Sequence, residues 1–95
     1  MVQLILYSKP GCHLCEGLQE KLEQIDDFPL AIEIRDITTR PEWFQAYQYE
    51  VPVLYRKIDG ADGPREEPLP RPSPRASVGQ VKQMLQKYFP SGDSQ

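Results

Sequence analysis

Cys12-His13-Leu14-Cys15 holds the side chains of this 95-residue chain best suited to chemistry, and its only two cysteines. Two sulfurs at that spacing can close a small disulfide, open to a dithiol, or offer two soft ligands to a metal. The pair follows a short apolar run and begins a helix-patterned segment. Unpaired N–H groups and the helix dipole favour an anion at such a start, so a thiolate is favoured there. The pattern points first to redox chemistry at sulfur. Metal is the second reading. A closed zinc site needs four ligands, so a zinc ion or iron–sulfur cluster would have to bridge a dimer. His13 has two readings. A cationic imidazole beside Cys12 would stabilise its thiolate and make the disulfide more oxidising; an exposed helix-start histidine would do little.

The flanking elements must hold this pair in place. Val2–Tyr7 is a short β-prone run stopped by Ser8-Lys9-Pro10-Gly11, which predicts a buried strand and a turn. From Cys12 the period changes. Leu14, Leu18, Leu22 and Ile25 recur at helical spacing among charged and polar residues, predicting an amphipathic helix that ends before Asp26. Leu30–Ile37 alternates, with Ile32 and Ile34 on one face and Glu33 and Arg35 on the other, as in a half-exposed strand. Thr38-Thr39-Arg40-Pro41-Glu42 predicts a helix start with a threonine cap and an early proline. Trp43, Phe44 and Tyr47 then make an aromatic stripe expected to pack into the core.

Val51–Tyr55 predicts a third strand. The turn residues Asp59–Pro64 predict that Glu66–Arg71 returns as its hairpin partner. Pro68, Pro70, Pro72 and Pro74 all fall at even positions. Prolines at that period remove N–H donors from one side only, as expected of a blunted edge strand. A proline-rich ligand for an SH3-like partner is the alternative. Ser77 and Gln80 have capping-box spacing before a helix with Val78, Val81, Leu85 and Tyr88 on one face, stopped by Pro90. The expected organisation is one domain, residues 1–90, with a flexible tail, 91–95. The order β-α-β-α-β-β-α predicts an α/β fold: a mixed four-stranded sheet with helices on both faces.

Composition narrows the function classes. Hydrophobic content of 39% and charged content of 26% fit one globular domain. A net charge of −3 with scattered Lys and Arg argues against a nucleic-acid or anionic-membrane surface. Val2–Tyr7 has no basic leader before it and is too short to span a membrane. The expectation is a cytoplasmic monomer. In a reducing compartment a lone cysteine pair is a working dithiol or a metal clip rather than a permanent staple.

Ser8-Lys9-Pro10-Gly11-Cys12-His13-Leu14-Cys15 after the first strand, Val51-Pro52 before the third, and the element order together resemble the glutaredoxins. The resemblance covers roughly residues 2–89. It is greatest to a short glutaredoxin-like group of unknown function within the thioredoxin-fold superfamily. It implies a thioredoxin-like fold and a thiol–disulfide oxidoreductase in which Cys12 is the nucleophile and Cys15 the resolving thiol. It implies a cis Val51–Pro52 bond facing the Cys12 sulfur, and it matches Lys9 to the lysine that glutaredoxins place three residues before the first cysteine. Lys9, His13, Val51 and Pro52 are the expected substrate-binding residues. The substrate would be a disulfide-containing protein or a small-molecule thiol. No metal and no bound cofactor are expected, and glutathione enters only as a co-substrate. Two stretches depart from glutaredoxins. Glu50 stands where threonine precedes Val-Pro, and Ser73-Pro74-Arg75-Ala76-Ser77 replaces a Gly-Gly pair and an acid that help hold glutathione. A thioredoxin-fold binding module with little general redox activity is therefore an alternative.

Overall fold

The structure is a computed structural model that describes residues 2–26 and 28–88. Its elements are β1 (Val2–Ser8), α1 (His13–Glu23), β2 (Leu30–Asp36), a 3-10 turn (Ile37–Thr39), α2 (Pro41–Tyr47), β3 (Val53–Gly60), β4 (Gly63–Pro68) and α3 (Val78–Tyr88). The sheet order is β2-β1-β3-β4, with β1 parallel to β2 and the other neighbours antiparallel. This is the α/β arrangement of a thioredoxin-like fold. The expected stop at Pro90 and the tail 91–95 lie outside the described residues.

Alternation along β1 divides the molecule. Leu4 and Leu6 join Leu54 of β3 beneath Leu18, Leu22 and Ile25 of the α1 segment and Val81 and Leu85 of α3. Ile5 and Tyr7 face the other way, with Ile37, toward Trp43 and Tyr47 of α2. Side chains two apart share a face, so one strand feeds both cores. α1 and α3 therefore cover one face and α2 the other.

Three local expectations need correction. Thr38 and Thr39 do not cap α2. Asp36 caps the 3-10 turn instead: its Oδ1 accepts from the Thr38 N–H at 2.9 Å and the Thr38 hydroxyl at 2.6 Å. α2 starts at Pro41 behind Arg40, whose side chain makes no cap. A carboxylate accepting two donors is a stronger cap than a hydroxyl, and those bonds hold the Asp36 carboxyl below its ordinary pKa. Phe44 is 39% exposed and Ile34 is 40% exposed, so neither completes its predicted apolar face. Trp43 and Tyr47 do pack against the second core. The hairpin partner of β3 is Gly63–Pro68, earlier than predicted.

β4 is an edge strand, and its prolines have the expected sense. The Leu69 N–H donates to the Leu54 carbonyl at 2.9 Å, so odd positions face β3. Pro64 and Pro68 then lie on the outer side, where a missing donor blunts further pairing. Pro70, Pro72 and Pro74 lie beyond the strand, in the link to α3. They do not extend the edge; they build a wall beside α1.

Candidate active site

β1 and β3 are paired up to Tyr7↔Val53. The segment that leaves β1 toward Cys12 and the segment that enters β3 at Pro52 therefore emerge at the same end of the sheet. Gly11 has φ +78°, a left-handed conformation that side chains disfavour, and it turns the chain into α1. The Cys12 N–H bonds to the Lys9 carbonyl at 3.3 Å and closes this turn.

Cys12 is the N-cap of α1. Its Sγ accepts the Cys15 N–H at 3.1 Å, the place a serine or aspartate oxygen takes in an ordinary cap. Its carbonyl accepts the Glu16 N–H, the first bond of the helix. Cys12 and Cys15 are joined as a disulfide, with Cα atoms 5.3 Å apart. Their surroundings differ. Cys15 is 2% exposed, on the packed side of α1, whereas Cys12 is half-buried at the mouth. The less buried cysteine is thus also the one whose sulfur receives an N–H.

The other expected site residues fall around this pair in unequal ways. The Val51–Pro52 peptide bond is cis, and Pro52 is buried. The Val51 N–H does not stand ready for a peptide, because it donates to the Tyr47 carbonyl at 3.1 Å. The Val51 carbonyl has no hydrogen-bond partner among the described residues. Lys9 reaches across to the end of α2, with Nζ 3.4 Å from the Gln48 carbonyl. It bridges the loop before Cys12 and the loop before Pro52. The His13 side chain is 95% exposed and has Glu16 as an ion-pair neighbour at 3.7 Å.

The structure adds a feature that the sequence reading did not assemble. A groove of about 210 Å³ runs along α1 from His13 and Leu14, the two residues between the cysteines, and is lined by Leu14, Lys21, Pro52, Arg71, Pro72 and Pro74 among others. One wall is α1, where Leu14, Gly17 and Lys21 recur at helical spacing. The other is the segment after β4. Two tethers fix that segment. Lys21 Nζ donates to the Pro74 carbonyl at 2.8 Å, and Arg71 donates to the Glu50 carbonyl at 2.9 Å. Leu14, predicted as part of the buried stripe, is instead 52% exposed at the groove. The even-numbered prolines marked the second wall, but the same spacing also fits an edge strand.

Ser73–Ser77 takes a definite form as well. The Ala76 N–H bonds to the Ser73 carbonyl in a turn, and Ser77 and Gln80 exchange both bonds of a capping box at 2.9 and 3.1 Å. Ser77 is a helix cap. No cluster of three or more potential metal ligands occurs among the described residues.

A mixed β2-β1-β3-β4 sheet flanked by helices, with a disulfide at the start of α1, places the chain in the thioredoxin-like class. Within that class, the sequence profile of the glutaredoxin-like domain (DUF836) matches residues 3–86, and the chain belongs to that family. No curated protein sequence matches it significantly. Among solved structures it is similar to a Northeast Structural Genomics target protein, XcR50 from X. campestris, known by X-ray. Identity is 27% and the TM-score 0.57, over 88% of this chain and 96% of that one. The family and the cysteine pair fit a thiol oxidoreductase in general.

Proposed function

We propose that the protein is a thiol–disulfide oxidoreductase in which Cys12 attacks and Cys15 resolves. The supporting observation is the asymmetry of the pair: Cys12 is half-buried and its Sγ takes the Cys15 N–H at 3.1 Å, while Cys15 is 2% exposed. In the reduced protein the same N–H and the start of α1 favour a Cys12 thiolate. That thiolate attacks one sulfur of a substrate disulfide. One S–S bond forms to Cys12, and the other half of the substrate leaves as a thiolate. Cys15 then loses its proton and attacks Cys12 Sγ. The Cys12–substrate bond breaks, the second substrate thiolate leaves, and the Cys12–Cys15 disulfide forms. Two electrons pass to the substrate, and both leaving thiolates take up protons. A thiol donor, either one dithiol or two monothiols in turn, reverses these steps and restores the protein.

Pro52 lines the groove with His13 and Leu14, and Lys9 links the loop before Cys12 to the end of α2. The exposure of His13 favours the weaker of its two roles, because a charge so fully hydrated is screened from its neighbours. Glutathione is one candidate donor, but the turn at Ser73–Ala76 and the capping box at Ser77 occupy the stretch where glutaredoxins approach it with glycines. We place the activity in a cytoplasmic monomer with no metal or resident cofactor. Among the described residues no helix is long and apolar enough to cross a membrane.

The test is a pair of serine variants. Cys12→Ser is expected to abolish reduction of a disulfide substrate. Cys15→Ser is expected to accumulate a mixed disulfide at Cys12, visible as the added substrate mass. Turnover by Cys12→Ser, or trapping at Cys15 in that variant, would overturn the assignment.

A further inference from the structure

Among the described residues the cations fall into two groups, those with a carboxylate partner and those without, and the second group includes Arg75 and Lys87 outside the groove as well as three cations near the cysteines. Arg35, Arg40, Arg56, Lys57 and Arg65 each lie within 4 Å of a carboxylate. The cations around the disulfide do not. Lys21 and Arg71 in the groove, and Lys9 in the loop before Cys12, bond to the neutral carbonyls of Pro74, Glu50 and Gln48. None of the three has a carboxylate partner among the described residues. The groove lining contains no Asp or Glu; it combines Leu14, Leu18, Pro52, Pro72 and Pro74 with Lys21, Arg71, His13 and Ser73. Glu16 is an ion-pair neighbour of His13 at 3.7 Å, and Glu50, whose carbonyl Arg71 binds, is the other acid close to a lining residue. A chain of net charge −3 thus keeps Lys21 and Arg71, without carboxylate partners among the described residues, on an apolar groove that begins at His13 and Leu14, between its two cysteines in sequence.

From this we infer that the groove binds an extended acidic segment of a protein substrate, next to the cysteine whose disulfide is reduced. The inference rests on the oxidoreductase reading and adds the substrate class. The apolar lining takes side chains beside that cysteine, and Lys21 and Arg71 take the carboxylates. Lys21 lies nine residues along α1 from Cys12, about 13 Å of helix, which an extended peptide covers in about four residues. The recognised acids therefore lie within about four positions of the reacting cysteine. Arg71, tied to the loop before Pro52, meets the nearer ones, and Lys21 the farther. Charge pairs at such a rim act mainly on association rate and on choice among partners.

Two measurements on the full chain test this separately from the redox chemistry. In the first, a cysteine-free peptide carrying acids and leucines is titrated onto the oxidised protein and compared with its lysine-containing counterpart. The acidic peptide is expected to bind about tenfold more tightly, and raising salt to about 0.5 M is expected to remove the preference. The double variant Lys21→Gln/Arg71→Gln should lose it too, and Lys21→Arg/Arg71→Lys should restore most of it. Equal binding of the two peptides, or a preference unchanged in the glutamine variant, overturns the proposal. In the second, the reduced protein is mixed with the same peptides as disulfides, with hydroxyethyl disulfide and with glutathione disulfide. The acidic peptide should react fastest, and its rate should fall the most in the double variant. If glutathione disulfide shows the same dependence on Lys21 and Arg71 at a higher rate, the groove serves a small thiol and the proposal fails. If no disulfide reacts while acidic binding persists, the oxidoreductase reading fails and the groove stands.

Discussion

The two faces of the sheet are covered in different ways. On the α1/α3 face the cover is aliphatic and closed: Leu22, Val81 and Leu85 are fully buried above Leu4, Leu6 and Leu54. On the α2 face the helix has only seven residues, and Ile5, Tyr7 and Ile37 are the buried core. Rings cover part of it. Tyr7 stacks against Tyr47 and meets Trp43 and Tyr55 edge-on, at centroid distances of 4.5, 5.6 and 5.6 Å. Long charged side chains cover more. Arg35 reaches from β2 to Glu66 on β4 with two bonds of 3.1 and 2.9 Å, donates to the Tyr7 hydroxyl at 2.8 Å, and lies over the Tyr7 and Trp43 rings. Where a helix is too short to shield the sheet, an arginine lying flat with its stem on apolar surface shields it instead. The difference bears on the site. α1 carries Cys15 on the closely packed face, while the loop before Pro52 hangs from α2 through the Tyr47 carbonyl.

Packing energetics predict that the faces will respond unequally to truncation. Leu22→Ala removes a side chain with 0% exposure from the aliphatic face. It is expected to destabilise the fold by about 2–5 kcal/mol, from lost transfer energy plus the cavity left behind. Denaturant titration at neutral pH measures this through the midpoint at constant slope. A loss below about 1 kcal/mol would mean that α1 collapses into the gap and that this face is not the close-packed one.

On the other face Arg35→Met keeps most of the stem and removes the guanidinium. Arg35 is 15% exposed and binds Glu33, Glu66 and the Tyr7 hydroxyl. Its pKa is held above the ordinary arginine value chiefly by the hydrogen bonds to Glu66, against the burial that opposes it. Both carboxylates are partly exposed and regain water when the arginine goes, so the expected loss is about 1–2 kcal/mol, less than at Leu22. Glu66→Gln, which keeps one acceptor, should lose less still. Near-equal losses at Leu22 and Arg35 would erase the contrast between an aliphatic and an ionic cover.

The aliphatic face was readable because one period repeats along it. Leu18 and Leu22 on α1, Ile25 just after it, and Val81 and Leu85 on α3 announce a buried stripe, and β1 alternates beneath them. The ionic face was not readable, because Arg35 and Glu66 are 31 residues apart and each alone looks like a solvent-facing charge. The same short helix left Phe44 exposed, since an aromatic stripe predicts packing only if there is sheet beneath all of it. The site divided along similar lines. Cys12, Cys15 and Val51-Pro52 form local motifs. Leu14, Lys21 and Arg71 form a groove only after the segment beyond β4 folds back on α1, and no sequence period encodes that return. The prolines at 70, 72 and 74 carried the signal, but their spacing does not say whether they end a strand or build a wall.

The smallest expected effect separates the faces by pH. Glu33 has its pKa lowered, first by its hydrogen bond from Arg35, against the burial that opposes it, with the charges of Arg35 and Lys57 adding attraction. A carboxyl with a folded pKa below its unfolded one stabilises the fold at pH above the unfolded value of about 4.3. That stability is lost as pH falls through the folded value, because protonated Glu33 no longer holds Arg35 more tightly than water does. Glu33 is 46% exposed, so its share is below about 1 kcal/mol after screening. Thermal unfolding between pH 6 and pH 3 should show a decline that is shallower in Arg35→Met, where the carboxyl has lost its main partner. In Leu22→Ala the decline should keep its wild-type slope from a lower starting point, because no charge on the α1/α3 face was touched. The same acid slope in both variants would show that Arg35 does not set the Glu33 titration, and the ionic cover would then contribute by packing alone.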